Sequence, residues 1–322
     1  MSLPLRTLER VATDDPDLNP AQREVLALLG AAPAERPVFE SSLAAELQQA
    51  LVDELAPVAA LVPDGDPLFV SKHHLTQIHA CEAHALAERA EPFAWSVPRA
   101  RGKVAHKAIE LLLNWPGKPN PADLVDEAIA RLTEGVDGLA GWLQTRPEAD
   151  VAELRSEASQ RVTTFMECFP PLKSDWYPVL EPRWRVELVD GRIVLSGQVD
   201  LTLGRPRGSQ ASKVLVDFKT GGAHPSHVDD LRFYALLDTI RLGVPPRLLA
   251  SYYLDSGRAH VEPVSTDVLH AAARRTADGV RRLVELLHGH AVANRQPGSR
   301  CRWCPALEGC AEGRVHLDED RG

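Results

Sequence analysis

The stretch SKVLVDFKTGG, residues 212–222, combines a short apolar strand pattern with two charged side chains and ends in glycines. The run from Val214 to Phe218 is apolar apart from Asp217, which is typical of a strand buried within a sheet. Side chains alternate between the two faces of a strand. Asp217 and Lys219 are therefore predicted to lie on one face, with Phe218 on the other.

The preceding segment EPRWRVELVDGRIVLSGQVDLTLG, residues 181–204, alternates between apolar and polar residues on both sides of Asp190-Gly191. This dipeptide favours a two-residue turn, so the pattern predicts a β-hairpin. Asp200 lies toward the end of the second hairpin strand. If the next strand of the chain pairs with that one, Asp200 comes to lie beside Asp217.

Two carboxylates held side by side repel each other unless a cation lies between them. Mg²⁺ and Mn²⁺ suit such an oxygen-rich site, where the metal can bind a phosphate oxygen and lower the pKa of a bound water. Lys219 can hold that water and offset charge in the transition state. His106, in the helix pattern RARGKVAHKAIELLLNW (99–115), can add an imidazole ligand. Each residue alone has an ordinary structural explanation, and only the combination is specific.

The patterns are mostly helical before the hairpin and mixed after it. One amphipathic helix that carries Cys81 is predicted over SKHHLTQIHACEAHALAERA (71–90), and two further helices over residues 121–169. Beyond the DFKTGG stretch the patterns predict a helix, two strands and a helix, over residues 225–243, 247–264 and 265–290. This order of elements predicts a mixed α/β fold with a largely helical front.

Composition narrows the class of protein. The chain has 322 residues, a formal net charge of −9 and the apolar and charged fractions of a soluble globular protein. Residues 1–66 hold four Arg and twelve Asp or Glu, whereas the rest of the chain is close to neutral. We predict an acidic helical extension over 1–66 and a main domain over 67–322. Neither a membrane-spanning apolar run nor a secretory signal is apparent, which favours a cytoplasmic protein.

Four motifs resemble, in order, those of the PD-(D/E)XK nuclease superfamily, and in particular its RecB-like branch. They are GKVAH (102–106), GQVD (197–200), VDFKTG (216–221) and DLRFYAL (230–236). The resemblance implies a restriction-endonuclease-like fold, with a mixed sheet core flanked by helices. It also implies that His106, Asp200, Asp217 and Lys219 are catalytic. The implied metal ligands are His106, Asp200, Asp217 and the backbone carbonyl of Phe218.

The resemblance covers roughly residues 70–312 and extends to weaker positions. Glu181 is the better match for an acidic residue upstream of the GQVD strand, with Glu187 as the alternative. Tyr234 matches the Tyr of the last motif, but Asp230 stands where the family usually has Gln, which bears on how this helix meets DNA. The residues predicted to contact DNA are Glu181, Asp230, Arg232, Tyr234 and Trp303.

Three of the five cysteines lie in CRWCPALEGC, residues 301–310. The same nuclease branch includes AddB-type helicase-nucleases and CRISPR-associated RecB-like exonucleases, with one cysteine before the nuclease motifs and three after them, spaced C-x-x-C-x(5)-C. The resemblance implies a structural [4Fe–4S] cluster. Its implied ligands are Cys81, Cys301, Cys304 and Cys310. The alternative is a zinc site made of the same thiolates. Cys168 matches no family cysteine and is interpreted as a buried free thiol.

Further residues are candidates for contact with nucleic acid. Trp303 is predicted either to stack on a base of single-stranded DNA or to pack against the cluster. A basic rim could be formed by Arg302 together with Arg274, Arg275, Arg281 and Arg282, although such runs are also common on solvated helix faces. His224 and His227 follow the DFKTGG turn and could touch phosphate, although loop histidines are more often only solvated.

Together these features predict a Mg²⁺- or Mn²⁺-dependent deoxyribonuclease, with exonuclease action on single strands or DNA ends as the leading form, in repair, recombination or defence. The chain has no Walker A pattern and therefore no helicase motor of its own. Residues 1–66 are a candidate docking surface for a separate helicase. The alternative is a non-cleaving DNA-binding scaffold subunit, and an RNA-directed nuclease is a third interpretation.

Overall fold

The computed structural model describes residues 16–136 and 138–320. The helices of this part of the chain are α1 (Pro20–Leu29), α2 (Leu43–Ala59), α3 (Lys72–Ala80), α4 (Glu82–Ala90), α5 (Val97–Leu112), α6 (Pro121–Thr133), α7 (Gly138–Gln144), α8 (Glu148–Cys168), α9 (Ser226–Leu242), α10 (Thr266–Leu287) and α11 (Ala311–Glu319). The strands are β1 (Leu68–Val70), β2 (Val179–Leu180), β3 (Arg183–Leu188), β4 (Ile193–Gln198), β5 (Leu201–Leu203), β6 (Val214–Lys219), β7 (Leu248–Tyr253) and β8 (Arg258–Pro263). None of the described helices is long and apolar enough to cross a membrane.

The strands form two sheets. In the smaller sheet β4 lies between β1, which is parallel to it, and β3, which is antiparallel. The larger sheet has the order β2-β5-β6-β7-β8, with β6 and β7 parallel and the other neighbours antiparallel. The crossover from β6 to β7 is α9, since parallel neighbours need a long connection. Mixed sheets flanked by helices confirm the predicted α/β fold class.

The predicted hairpin is present, but its turn is longer than the sequence indicated. The last pair of β3 and β4 is Leu188↔Ile193, so four residues connect the strands instead of two. Val189 and Asp190 have positive φ angles of 48° and 54°, and Gly191 has a φ of 78°. The chain reversal is therefore spread over several left-handed residues, which the Asp-Gly dipeptide alone did not reveal.

The second arm of the hairpin is divided between the two sheets. β4 ends at Gln198, and after Val199 and Asp200 the chain continues as β5 in the larger sheet. Leu201 of β5 pairs with Val216 of β6, which confirms the predicted pairing of the third strand with the second hairpin arm. Asp200 thus lies at the step between the sheets, beside β6.

The acidic N-terminal segment contributes two helices to the main cores. Leu47, Leu51 and Leu55 of α2 are buried in one cluster with α9, α10 and the smaller sheet. Val25 and Leu26 of α1 are buried in a second cluster with β5 to β8 and α8. Burying each such side chain contributes about 1.5–3 kcal/mol. The division of the chain near residue 66 stays a prediction from sequence.

The single helix predicted over residues 71–90 is two helices, α3 and α4. Cys81 separates them with an extended backbone, at φ −168° and ψ 112°. The break is held by a distant segment: the Gln296 N–H donates to Cys81 Sγ at 3.4 Å, and the Ala83 N–H donates to the Asn294 carbonyl at 3.2 Å. Residues 121–169 likewise form three helices instead of two, because Pro147 is extended immediately before α8.

Candidate active site

An imidazole and two carboxylates meet where β5 begins. His106 comes from α5, Glu181 follows β2, and Asp200 occupies the step between β4 and β5. His106 Nδ1 lies 3.1 Å from Asp200 Oδ1 and 3.9 Å from Glu181 Oε1. Among the described residues, these are the only three His, Cys, Asp or Glu with ligand atoms within 4.8 Å of one another. One nitrogen and two carboxylate oxygens form a donor set that fits a divalent cation.

A backbone N–H orients the Asp200 carboxylate, and a side-chain amide orients that of Glu181. The Phe218 N–H donates to Asp200 Oδ2 at 2.5 Å, so β6 fixes the direction of the Asp200 side chain. Glu181 has a left-handed φ of 54°, its N–H donates to the Asp200 carbonyl at 2.9 Å, and the Gln198 amide donates to its carboxylate. Glu187, the alternative upstream acid, is instead exposed on β3. Its carboxylate pairs with Arg185 at 2.9 Å.

Asp217 and Lys219 lie on one face of β6, as the alternation predicts. Lys219 Nζ is 2.7 Å from Asp217 Oδ2, and Asp217 is almost fully buried. The Phe218 ring lies on the opposite face, edge-on to the His106 ring at 5.9 Å and packed with Phe165. Its backbone carbonyl as a metal ligand stays a prediction.

A second lysine, which the sequence analysis missed, also reaches Asp217. Lys72 at the start of α3 places its Nζ 2.9 Å from Asp217 Oδ1. Lys219 Nζ also lies 2.8 Å from Asp230 Oδ2, on α9. Lys72 precedes Asp217 by 145 positions, and no local pattern connects the two. The one feature of the sequence that could have indicated Lys72 as a site residue is its position directly after a strand, at the first turn of a helix.

Charges within the site shift the pKa values of its groups. Burial favours protonation of Asp217, but Lys72 and Lys219 outweigh it and hold the pKa of that carboxyl well below its usual range. Burial also disfavours charge on His106, but Asp200 and then Glu181 outweigh that effect and raise the pKa of the imidazole. Burial and the neighbouring Asp200 raise the pKa of Glu181. A cation that binds His106 must therefore displace a proton that the carboxylates stabilise.

Three residues predicted to contact DNA have partners within the protein. Tyr234 is 2% exposed, and its ring lies edge-on to Trp184. Asp230 is buried against Lys219. Arg232 pairs with Glu262 at 2.5 Å. Tyr234 and Asp230 of this motif are therefore buried, whereas the Arg232 side chain is still 33% exposed beside Glu262. Contact of this motif with DNA stays a prediction.

Gly197 of the GQVD motif lets the Tyr234 ring approach the sheet. A Cβ at this position would lie 2.4 Å from Tyr234 Cε1. We expect Gly197→Ala to displace the ring and lower the free energy of unfolding by about 1–3 kcal/mol, measured by chemical denaturation. Gly141→Ala in α7, where nothing lies within 4 Å, is the control and should be neutral or slightly stabilising. Equal stability of the two variants would show that the ring contact is not tight.

Most of the other basic residues that were predicted to contact nucleic acid are ion-paired with carboxylates or are neutral. Arg275, Arg281 and Arg282 pair with Asp229, Glu54 and Glu82, and Arg302 pairs with Asp320 at 2.5 Å. Arg274 is exposed, and the basic rim stays a prediction. Burial and the nearby Lys219 lower the pKa of His227 to about 4, which keeps its ring neutral at physiological pH. His224 is exposed, and its Nδ1 lies 2.8 Å from Ser226 Oγ.

Four of the five cysteines surround one cavity of about 220 Å³. They are Cys81, Cys301, Cys304 and Cys310. Two further backbone N–H groups donate to their sulfurs, from Gly298 to Cys301 at 3.4 Å and from Gly313 to Cys310 at 3.3 Å. Burial and the three neighbouring thiols raise the pKa of the Cys304 thiol. Cys168 lies elsewhere, against Gly257.

Comparison with known families agrees with this geometry. A sequence model described as the PD-(D/E)XK nuclease superfamily matches residues 70–311, which span every element of the site. The chain belongs to the PD-(D/E)XK nuclease superfamily. Its mixed α/β fold is consistent with that family of phosphodiester hydrolases.

Solved structures add only distant likenesses. A crystal structure of a protein from Eubacterium rectale, provisionally named an exonuclease, is 11% identical, with a TM-score of 0.44 over 77% of this chain and 87% of that one. The crystal structure of SSO0001 is 12% identical, with a TM-score of 0.34 over 83% of this chain and 96% of that one. No curated protein matches the chain. The family assignment rests on the family match.

Proposed function

We propose that this nuclease-superfamily member is a Mg²⁺- or Mn²⁺-dependent deoxyribonuclease that acts on single strands or DNA ends. The observation that carries the proposal is the convergence of His106, Glu181 and Asp200, with ligand atoms within 4.8 Å of one another. Asp200 of this group accepts a hydrogen bond from the Phe218 N–H, between Asp217 and Lys219 on β6. The site thus combines carboxylates, an imidazole and a lysine, which are the groups that metal-assisted phosphodiester hydrolysis uses.

The protein groups of the site have distinct tasks in this proposal. His106, Asp200, Asp217 and Glu181 would hold the cation, which supplies an activated water and a Lewis acid for the phosphate. Lys219, which is paired with Asp217, would offset negative charge that develops on the phosphate oxygens. The Phe218 N–H keeps Asp200 oriented, and the aromatic packing behind His106 fixes its ring.

We further propose that the four-cysteine cavity holds a [4Fe–4S] cluster. The fit is supported by four thiols around about 220 Å³ and by backbone N–H donors at 3.3–3.4 Å from three of the sulfurs. Such donors stabilise thiolate ligands. The cluster would join the α3–α4 break to the segment before α11.

The spacing of the sulfurs favours a cluster over a single zinc ion. A tetrahedral zinc–thiolate site, with bonds of about 2.3 Å, places its sulfurs about 3.8 Å apart. Within residues 16–136 and 138–320, no three cysteine sulfurs lie within 4.8 Å of one another. We infer that the cavity of about 220 Å³ between the cysteines leaves room for a group larger than one zinc ion.

A groove beside the cysteine cavity supports a single-stranded substrate. It has a volume of about 410 Å³ and is lined by α3, α4, the start of α5 and the loops that carry Phe93 and Trp303. These two rings are 68% and 76% exposed, which favours base stacking over packing of Trp303 against a cluster. Arg99 lines the groove and precedes His106 by seven residues on α5, or roughly 10 Å along the helix. A strand stacked here would therefore lie close to the site.

We expect Phe93→Ala and Trp303→Ala each to weaken binding of a single-stranded DNA oligomer by about 5- to 150-fold, because one base-stacking surface is lost. Fluorescence anisotropy in EDTA measures this binding without cleavage. Phe69→Ala is the matched control, since Phe69 is also exposed and carries an arginine, Arg185, 5.3 Å above its ring. Equal losses in all three variants would contradict a specific role for the groove.

The test of the proposed function compares four substrates with anaerobically purified protein. These are linear single-stranded DNA, circular single-stranded DNA, blunt duplex DNA and RNA, each with Mg²⁺, with Mn²⁺ or with EDTA. We expect the linear strand to be degraded with either metal, the circle to survive and EDTA to stop the reaction. Binding without cleavage would instead support the scaffold alternative, and cleavage of RNA alone would contradict a deoxyribonuclease.

Docking of a helicase on residues 1–66 is a further proposal, testable by co-purification.

A further inference from the structure

Lys72 and Lys219 each contact the same two aspartates, so the four charged side chains form a ring of ion pairs. Lys219 Nζ lies 2.7 Å from Asp217 and 2.8 Å from Asp230, while Lys72 Nζ lies 2.9 Å from Asp217 and 3.7 Å from Asp230. We call these four residues the Lys–Asp quartet. Its charges sum to zero, so the extra carboxylate of Asp230 next to the metal ligands is balanced by the extra ammonium group of Lys72.

The surroundings of Lys72 hold its ammonium group between the two aspartates. Thr76, one turn later on α3, donates its hydroxyl to Asp230 Oδ1 at 3.1 Å. The Tyr234 ring lies under Lys72 Nζ, 4.9 Å from its centroid. The side chain of Lys72 is 27% exposed, whereas that of Asp217 is 2% exposed. Lys72 can therefore shift between its two partners without leaving the site.

A divalent cation that is held by His106, Asp200 and Asp217 needs an oxygen of Asp217. Both oxygens of this carboxylate contact ammonium groups, Oδ2 with Lys219 and Oδ1 with Lys72. The cation and Lys72 therefore compete for the same carboxylate. Asp230, 3.7 Å from Lys72 Nζ, is the partner that can receive the displaced ammonium group.

We propose that Lys72 is a positioning residue that holds Asp217 in place and competes with the divalent cation for it, with Asp230 as its alternative partner, so that the quartet sets the cation affinity of the site. This inference rests on the proposed metal-dependent function. It predicts effects of opposite sign for two neighbouring residues, which general damage to the site would not produce.

Loss of the Lys72 charge should tighten cation binding. In Lys72→Met the competitor is removed, and a positive charge within about 5 Å of a divalent cation is lost, so we expect Mn²⁺ to bind at least about tenfold more tightly. In Asp230→Asn the ammonium group loses its second partner, and we expect Mn²⁺ to bind about tenfold more weakly. The double variant should return toward the wild-type dissociation constant.

The test measures the dissociation constant of Mn²⁺ by electron paramagnetic resonance in full-length protein, together with Tm in EDTA and in Mn²⁺. Lys107→Met is the matched control, because Lys107 is 25% exposed and pairs with Glu110 at 2.9 Å outside the quartet. Lys72→Met should have a lower Tm in EDTA and a larger rise with Mn²⁺ than wild type, while Lys107→Met should match wild type in its Mn²⁺ affinity.

Unchanged or weaker Mn²⁺ binding in Lys72→Met would overturn the inference. If that variant does not fold, Asp230→Asn alone decides: weaker binding supports the quartet, and unchanged or tighter binding overturns it. Failure of the proposed function gives a different result. In that case the wild-type protein and Asp200→Asn would bind Mn²⁺ equally, or neither would bind it. Wild-type binding with no response to either quartet variant overturns only the role of Lys72.

Discussion

The Asp200→Asn variant should lose DNA cleavage by about a thousandfold or more, because it loses a charged ligand of the proposed cation. Asparagine keeps the shape of the side chain, and its amide oxygen can still accept the hydrogen bond from the Phe218 N–H. The fold should therefore survive, and circular dichroism should be unchanged. Initial rates on an end-labelled single strand at saturating Mg²⁺ or Mn²⁺ measure the effect.

Glu187→Gln provides the matched control for Asp200→Asn. Glu187 lies on the same hairpin, but its carboxylate is exposed and pairs with Arg185 at 2.9 Å, away from His106. We expect this variant to cleave at the wild-type rate, whereas Glu181→Gln should cleave more slowly because Glu181 lies 3.9 Å from His106. Full activity in Asp200→Asn would place the reaction somewhere other than the His106–Glu181–Asp200 group.

The second large effect is expected at the cysteine cavity. Protein purified without oxygen should contain about four irons per chain, and Cys81→Ser should lose them, because a [4Fe–4S] cluster needs four thiolates. Without the cluster, the loop of some 220 residues between Cys81 and Cys301 is no longer closed. By analogy with other cross-links of such length, the free energy of unfolding should fall by about 5 kcal/mol. Iron and sulfide analysis and denaturation of both proteins check these values.

Cys168→Ser separates loss of the cluster from loss of any cysteine. Cys168 lies at the end of α8 and does not line the cavity of the other four. It should therefore keep its full iron content and most of its stability. Colourless wild-type protein with one zinc ion per chain would refute the cluster but would leave the nuclease site unaffected.

The parts of the site that the sequence predicted lie on strands or helices with a strong periodic pattern, or directly next to one. Alternation in β6 placed Asp217 and Lys219 on one face, and the hairpin pattern placed Asp200 next to them. The choice of Glu181 over Glu187 agrees with the observed geometry, since only Glu181 comes near His106. The predictions for Asp200, Asp217 and Lys219 needed only local backbone geometry and one strand pairing, whereas the choice of Glu181 came from the family resemblance.

The features that the sequence did not predict depend on contacts between distant segments. Lys72 joins the site because α3 packs against α9, and apart from its place at the start of a helix nothing near residue 72 indicates that contact. The break at Cys81 is held by residues 294–296, so its own sequence still has the pattern of one continuous helix. Tyr234 and Arg232 were assigned to DNA from a motif, but tertiary packing buries the first and pairs the second with Glu262.

The most direct test of the proposed metal-dependent nuclease is to measure bound Mn²⁺ and DNA cleavage in the same samples. Mn²⁺ is added stepwise to wild-type protein and to Asp200→Asn, bound metal is followed by electron paramagnetic resonance, and cleavage of an end-labelled single strand is measured at each step. We expect the wild-type rate to rise in proportion to Mn²⁺ bound at the site and both signals to be absent in Asp200→Asn. Cleavage in EDTA, or Mn²⁺ binding at the site that does not change in Asp200→Asn, would contradict a metal-dependent nuclease centre at these residues.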